Sequence, residues 1–326
     1  MTTTPVAAPE PSPLDAATEA YEHTRRHLFP FKFERWLALG LVAFLDQCGR
    51  GGISGSVPGG GGPGPGLPTG NGAGSGNDGG FGEIGAWMGA HVALVVGLAA
   101  LAIALIVAFT ALVLWINSRA TFVYVENVAT GGTEIARPWR AHAERARSYF
   151  AWRFGLALGL MVAVLSLVGL GAAAVLTLAD HGYQLAVALL VLVPLLLLLI
   201  VAGALLAVAL RDFAAPIQMA AGVGCGAALR KVADLVRAHP LAFFLYVVLK
   251  VVFGIAQGII LLAAACFTCC CILIPVVTQT FLQPLFFFER AWPLYLLRQM
   301  GYDLVTGPAA SAPAAPAPLQ PTGGGA

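Results

Sequence analysis

Lys250 stands about ten residues into an apolar run, Leu241–Phe267, and is the side chain whose type and place most invite chemistry. By helical rise it would lie ~15 Å into a bilayer, where an unpaired charge costs ~2.5–3.5 kcal/mol on insertion scales. It therefore needs a partner or must reach the surface. If Leu241–Phe267 and Ile272–Tyr295 form a hairpin turning near Cys269–Cys271, matching depth puts Lys250 level with Glu289 or Arg290, and a Lys250–Glu289 contact is predicted. Gln257 and Gln283, with Gln279 and Thr280, fill out a candidate polar cluster between the same two runs. Such a cluster serves either as a structural tie or as a path for protons or a polar solute, and the residues alone leave both open.

Two further groups carry side chains that bind or react. Cys266, Cys269, Cys270 and Cys271 form C-x-x-C-C-C at the end of one apolar run, and Cys48 falls at the end of another. They are candidates for a disulfide or redox role, with buried thiols the plainer alternative. Glu19, His23 and His27 recur every fourth residue, a spacing that puts three metal-ligating types on one helix face, but no fourth ligand accompanies them. No Ser-His-Asp order, H-E-x-x-H or nucleotide fingerprint occurs, so neither an enzyme nor a cofactor or metal site is expected. The glycines of Gly49–Gly85 lack the Gly-Lys-Ser/Thr ending of a phosphate-binding loop.

The elements that must position these residues follow from composition. Of 326 residues, 58% are hydrophobic and only 10% charged, against roughly a quarter charged in a soluble domain, so lipid must cover much of the apolar surface. A net charge of +2, with no basic run interleaved with aromatics, argues against nucleic acid. The pattern predicts an all-α polytopic membrane protein with six spans near 31–48, 87–117, 154–178, 183–210, 241–267 and 272–295. The first is short, and no signal-peptide order precedes it, so it is expected to remain as a span. Residues 1–27 are expected to be a disordered tail and an interfacial helix with Asp15 as N-cap; 28–304 form the membrane domain, with a disordered glycine-rich loop at 49–85 and a disordered tail at 305–326. Gly155/Gly159 and Gly254/Gly258 have the spacing of helix-packing motifs, and Pro194 is expected to kink the fourth span.

With six spans every basic segment falls on one side, His23–Arg35, Arg119–Arg153, Arg211–Arg237 and Arg290–Arg298, which by the positive-inside rule puts both termini in the cytoplasm of a cell membrane. Two of these segments read as amphipathic surface connectors, Gly131–Arg153 and Arg211–Pro240. Overlaid, they place Gly131 on Gly224, Arg137 on Arg230 and Phe150 on Phe243, as a duplicated pair of spans would. Arg137, Arg140, Arg230, Lys231 and Arg237 are the expected contacts for anionic lipid headgroups.

The pattern Pro216-Ile-Gln-Met, Gly224, Ala228-Leu-Arg and Leu235-Val-Arg-Ala-His resembles the connector of polytopic proteins similar to the membrane domain of the glycerophosphoryl diester phosphodiesterase family. Phe286–Leu304 and Phe29–Gly40 extend the likeness, while Ala221 stands where that pattern has an acid. The resemblance implies a multi-span helical fold; the chain has no appended phosphodiesterase domain, so that activity is not implied. The expectation is a non-enzymatic membrane scaffold or partner-binding component, partnered by the bilayer and by a protein or a second copy. The alternative is a transporter-like protein with a polar path near Lys250 and Gln257.

Overall fold

The computed structural model describes residues 10–47, 91–178, 182–267 and 275–305. Among them every regular element is helical: α1 Pro13–Leu28, α2 Phe33–Gln47, α3 Val92–Thr130, α4 Ala136–Ala141, α5 Ala143–Leu178, α6 Gly182–Val208, a π-helical turn Ala209–Ala214, α7 Ala215–Ala221, α8 Cys225–Ala238, α9 Pro240–Phe267, α10 Pro275–Phe281 and α11 Gln283–Gln299. The glycine-rich loop, the Asp180 turn, Cys48, Cys269–Cys271 and the C-terminal tail lie outside the described residues.

Four stretches are long and apolar enough to cross a membrane, built on α3, α5, α6 with its continuation to Ala221, and α9. Six were expected; among the described residues the first and sixth do not reach that length. α2 has 15 residues, about 22 Å of helix against a ~30 Å hydrocarbon core, and buries an aspartate, Asp46. The expected sixth span is broken at Leu282 into α10 and α11, and α11 buries Glu289 and Arg290.

The long helices are divided lengthwise between two environments. α3 has 39 residues, about 58 Å, twice what a bilayer needs. Its first half exposes apolar side chains such as Ile103 and Phe109 (68% exposed), while Ala120–Val125 and Val128 are buried. Likewise α5 buries Ala146 and Tyr149 near its start and exposes Leu165 and Leu170, and α9 buries Phe243 and Tyr246 but exposes Ile255 and Ile259. The buried ends meet α1, α2, α7, α8 and α11 in one hydrophobic core. That core is a helical head, from which the apolar halves run on.

α1 packs into this core along one face. Ala16, Ala20, His23 and Leu28, spaced by three to five residues, form one buried stripe, and Trp292 of α11 donates to the Pro13 carbonyl at 2.9 Å. Its N-cap is Ser12, which accepts from the Asp15 amide, and Pro13 opens the first turn; Asp15 sits inside the helix. α2 runs antiparallel to the lower half of α3: Arg35 donates to the Gly131 carbonyl at one end, Asn117 to the Leu45 carbonyl at the other. Gly40 lets α10 close on α2, since a Cβ there would come within 2.9 Å of the Thr280 Cα. By contrast, a Cβ at Gly155, Gly159 or Gly254 would meet nothing within 4 Å, so these glycines do not mediate packing within the chain; Gly203, against Leu160, is the close approach between α5 and α6. α6 continues through Pro194.

The two connectors share a design. Each begins after a glycine at positive φ, Gly131 (66°) or Gly222 (65°), runs through a short helix, α4 or α8, and breaks at a histidine, His142 or His239, before the next long helix. The cap equivalent to Gly131 is thus Gly222, whereas Gly224 is the extended N-cap of α8.

Candidate functional site: a buried charge cluster

The π-helical turn has a local cause. Pro216 has no amide hydrogen and cannot donate to the Asp212 carbonyl four residues back, and the chain widens upstream, with the Ala215 amide bonding the Leu210 carbonyl instead. Arg211 and Asp212 sit on this widened turn. They were expected in a membrane-surface segment; the structure buries them in the head core, where Arg211 meets acids from α2 and α11.

With them, six charged side chains from four elements close on one another. Arg290 of α11, wholly buried, donates through Nη2 to both carboxylate oxygens of Asp46 at 2.7 Å. Arg211 donates through Nη2 to Asp46 Oδ2 at 3.1 Å and through Nη1 to Glu289 Oε1 at 2.8 Å. Lys250 Nζ lies 2.5 Å from Asp212 Oδ2 and 3.5 Å from Glu289 Oε1. Lys250 therefore reaches Glu289, but Asp212 is its closer partner. Three acids, Asp46, Asp212 and Glu289, face three bases, Arg211, Lys250 and Arg290, so the cluster is neutral as a set.

Neutral groups complete the shell. Thr121 Oγ1 donates to Asp46 Oδ1 at 2.6 Å, Tyr246 Oη to Asp212 Oδ2 at 3.0 Å, and Arg290 Nη1 to the Arg211 carbonyl at 2.9 Å. Asn117 donates to the Asp46 carbonyl and accepts from Arg153. Gln283 joins through Tyr124: its Nε2 donates to the phenol oxygen at 3.1 Å, and the Arg290 guanidinium lies over that ring, 5.9 Å from its centre. Gln257 is half-buried seven residues beyond Lys250, about 10 Å further along α9. Gln279 Nε2 donates to Gln47 at 3.4 Å, beside α2.

Such an arrangement is a tie between helices. Desolvating an ion costs several kcal/mol, which close, hydrogen-bonded opposite charges offset; each charge here has an opposite one within 3.5 Å, while Arg211 Nε and Arg290 Nε are buried without a hydrogen-bond partner among the described residues. The cluster sits on α3 at Asn117 and Thr121, immediately below the exposed Trp115, where the buried half of α3 begins. Lys250 accordingly lies where α9 leaves the head, and not deep in its apolar half.

The other sequence candidates lie apart from it. Cys266 is in the last turn of α9, and the remaining four cysteines are outside the described residues. Cys225, buried at the start of α8, is the described cysteine whose environment is set: burial pushes its thiol up to about 12, so it stays protonated. Glu19, His23 and His27 do line a cleft of about 400 Å³ between α1 and α11, but Arg298 holds Glu19 at 2.6 Å and His23 Nε2 donates to the Val128 carbonyl at 2.7 Å. Among the described residues no three acids, histidines or cysteines come together as a metal site. Of the proposed headgroup residues, Arg137 pairs with Glu126 and Glu134, Arg237 with Asp234, and Lys231 lies over the Tyr302 ring; Arg140 and Arg230 are exposed.

Asp46, Arg211, Asp212 and Tyr246 were not singled out by sequence reasoning. The available signal was the adjacent charge pairs Arg211-Asp212 and Glu289-Arg290 at the ends of apolar runs, with Asp46 at the end of a third.

The helices and the buried cluster define a class: an all-helical protein with four segments able to cross a membrane, held at one end by a neutral ionic core. Residues 12–306 match one family model, and the chain belongs to that family, the family of unknown function DUF7544. The match carries no link to the phosphodiesterase membrane domain. No curated protein and no solved structure matches the chain.

Proposed function

We propose that the protein is a non-catalytic integral membrane scaffold, its head held rigid by the ionic core and its connector surface turned to the cytoplasm of a cell membrane, where it meets anionic lipid and a partner. The observation that carries this reading is the closure of the cluster: Asp46, Asp212 and Glu289 are each matched by a base at 3.5 Å or less, leaving no unneutralised group to receive a proton or a solute. A relay works through a group poised between two protonation states; a buried Asp46–Arg290 pair, in which one Nη2 meets both carboxylate oxygens, favours one state.

Proteoliposomes carrying the protein and an internal pH dye, under an imposed membrane potential, are expected to conduct protons no faster than protein-free vesicles. Lys250→Leu is expected to lower thermal stability in detergent. A protein-dependent flux that disappears in Lys250→Leu, with folding intact, would instead establish the transporter reading.

A further inference from the structure

Arg119 occupies a different kind of place from the arginines of the cluster. It lies on α3 one turn below Trp115, half-buried, with its guanidinium 4.9 Å from the centre of the Trp115 ring and 5.6 Å from that of Trp139 on α4. The two indoles meet edge to face at 6.4 Å. Its one hydrogen bond is a long one, Nη1 to the Trp139 carbonyl at 3.5 Å, and among the described residues no acidic side chain pairs with it. The neighbouring arginines differ: Arg137 is held by Glu126 and Glu134, and Arg145 donates to His142. The indoles fix the guanidinium in place through their ring faces without neutralising it, so most of its five donors remain for an anion.

The surroundings say which anion. Above Arg119, α3 exposes Trp115 (40%), Leu112 and Phe109, the start of its membrane-crossing stretch. Below, Ala120, Thr121 and Phe122 are buried, and Arg140 is exposed on α4. A cation flanked by indoles at the edge of an apolar helix matches the headgroup level of a bilayer, where amphipathic rings concentrate.

We propose that Arg119, Trp115 and Trp139 form a binding site for the phosphate of an anionic phospholipid, whose acyl chains lie along Leu112 and Phe109. This rests on the reading of α3 as a membrane span and names a lipid contact outside the connector residues the sequence singled out. The guanidinium supplies paired N–H donors to two phosphate oxygens, and Trp115 packs its exposed edge against the glycerol backbone.

The test is a titration of the full-length protein, in neutral detergent, with phosphatidylglycerol brominated on its chains, read by quenching of tryptophan fluorescence. Phosphatidylcholine brominated in the same way and inorganic phosphate are the comparisons. Phosphatidylglycerol is expected to quench at lower concentration than phosphatidylcholine. Arg119→Gln is expected to weaken its apparent affinity roughly fivefold, the effect of one headgroup-facing cation, and Arg119→Lys to keep most of it. Arg26→Gln, whose arginine is paired with Glu22 on α1, is expected to bind as the wild type does. Equal quenching by the two lipids, or unchanged affinity in Arg119→Gln, would overturn the site. Protection from thermal unfolding by inorganic phosphate as strong as that by phosphatidylglycerol would reassign it to a soluble anion. Failure of the wild-type protein to enter liposomes would remove the membrane reading itself.

Discussion

Asp46→Asn leaves Arg290 buried without the carboxylate it pairs with, and Arg211 loses one of its carboxylates in the same step. Breaking a buried pair from one side costs about 3–5 kcal/mol, because the remaining charge stays desolvated. Unfolding of Asp46→Asn in detergent is expected to show a loss of that order, whereas Arg237→Gln, whose pair with Asp234 lies in solvent, should change stability by less than about 1 kcal/mol. Tyr246→Phe removes one donor to Asp212 and keeps the packing of the ring against Phe213 and Trp292, so its loss should be near 1.5–3 kcal/mol. Equal, small losses in all three variants would mean that the cluster is not what holds the head. The depth of Lys250 along α9 is readable from the chain and points toward Glu289. Asp212 as its nearer partner is not, because that contact depends on the π-helical turn, which depends in turn on Pro216. Nor does any local pattern join Asp46 to Arg290: both look like ordinary ends of apolar runs until α2 and α11 are brought side by side.

Between helices, shape and protonation each control one contact. Gly40→Ala would drive a methyl group into the Thr280 backbone, which cannot rotate away as a side-chain tip can, and should destabilise by about 1–3 kcal/mol as α2 and α10 move apart. Crosslinking between cysteines introduced on the two helices would report that separation, and unchanged crosslinking would show that the contact gives easily. The seat of α1 is sensitive to pH. His23 is buried against Phe287 and Tyr295, the His27 ring lies tilted 4.3 Å from it, and burial lowers both below the ordinary value of about 6.5. The charges that face them are Glu19, Glu22 and Arg26 on α1, Arg35 on α2, and Arg298 on α11. Because the folded state prefers both rings neutral, their contribution to stability is complete above pH 6.5 and is lost as pH falls through the lowered values. The unfolding temperature should therefore drop on acidification below 6.5, and His23→Gln should flatten the drop; an identical profile in that variant would place the sensitivity elsewhere. The histidine spacing is evident in the sequence. What turns it from a metal-like pattern into a packed face is α3 and α11, which offer a carbonyl and two rings where a metal site would need a further ligand.

For the molecule as a whole, the alternation of apolar and basic stretches is enough to give an all-helical membrane class, and four of the expected spans stand as long apolar helices. The other two do not reach that length among the described residues, and hydropathy counts residues along the chain, not what covers them. α2 and α11 are apolar on the faces that meet the head core and polar where Asp46, Glu289 and Arg290 meet one another. α1 and α11 hold the two ends of the described chain together, with the Ser12 amide donating to Gln299 at 2.7 Å and Arg298 paired with Glu19. Reporters fused to the N- and C-termini should therefore be labelled from the same side of the membrane, and labelling from opposite sides would contradict the docking of α1 on α11.

The distance in sequence between Asp46 and Arg290, 244 residues, also has a meaning in time. A ribosome adding ~5–20 residues per second needs on the order of 10–50 s to travel from one to the other. Throughout that interval the first carboxylate of the core exists without the arginine it pairs with, while α3, α5, α6 and α9 are being delivered to the bilayer. Arg211, Asp212 and Lys250 emerge on the way, and the two bases gain their shared carboxylate only when Glu289 arrives. Among the described residues the last helix made is the one that closes the core, so a chain halted before α11 would lack both Glu289 and Arg290.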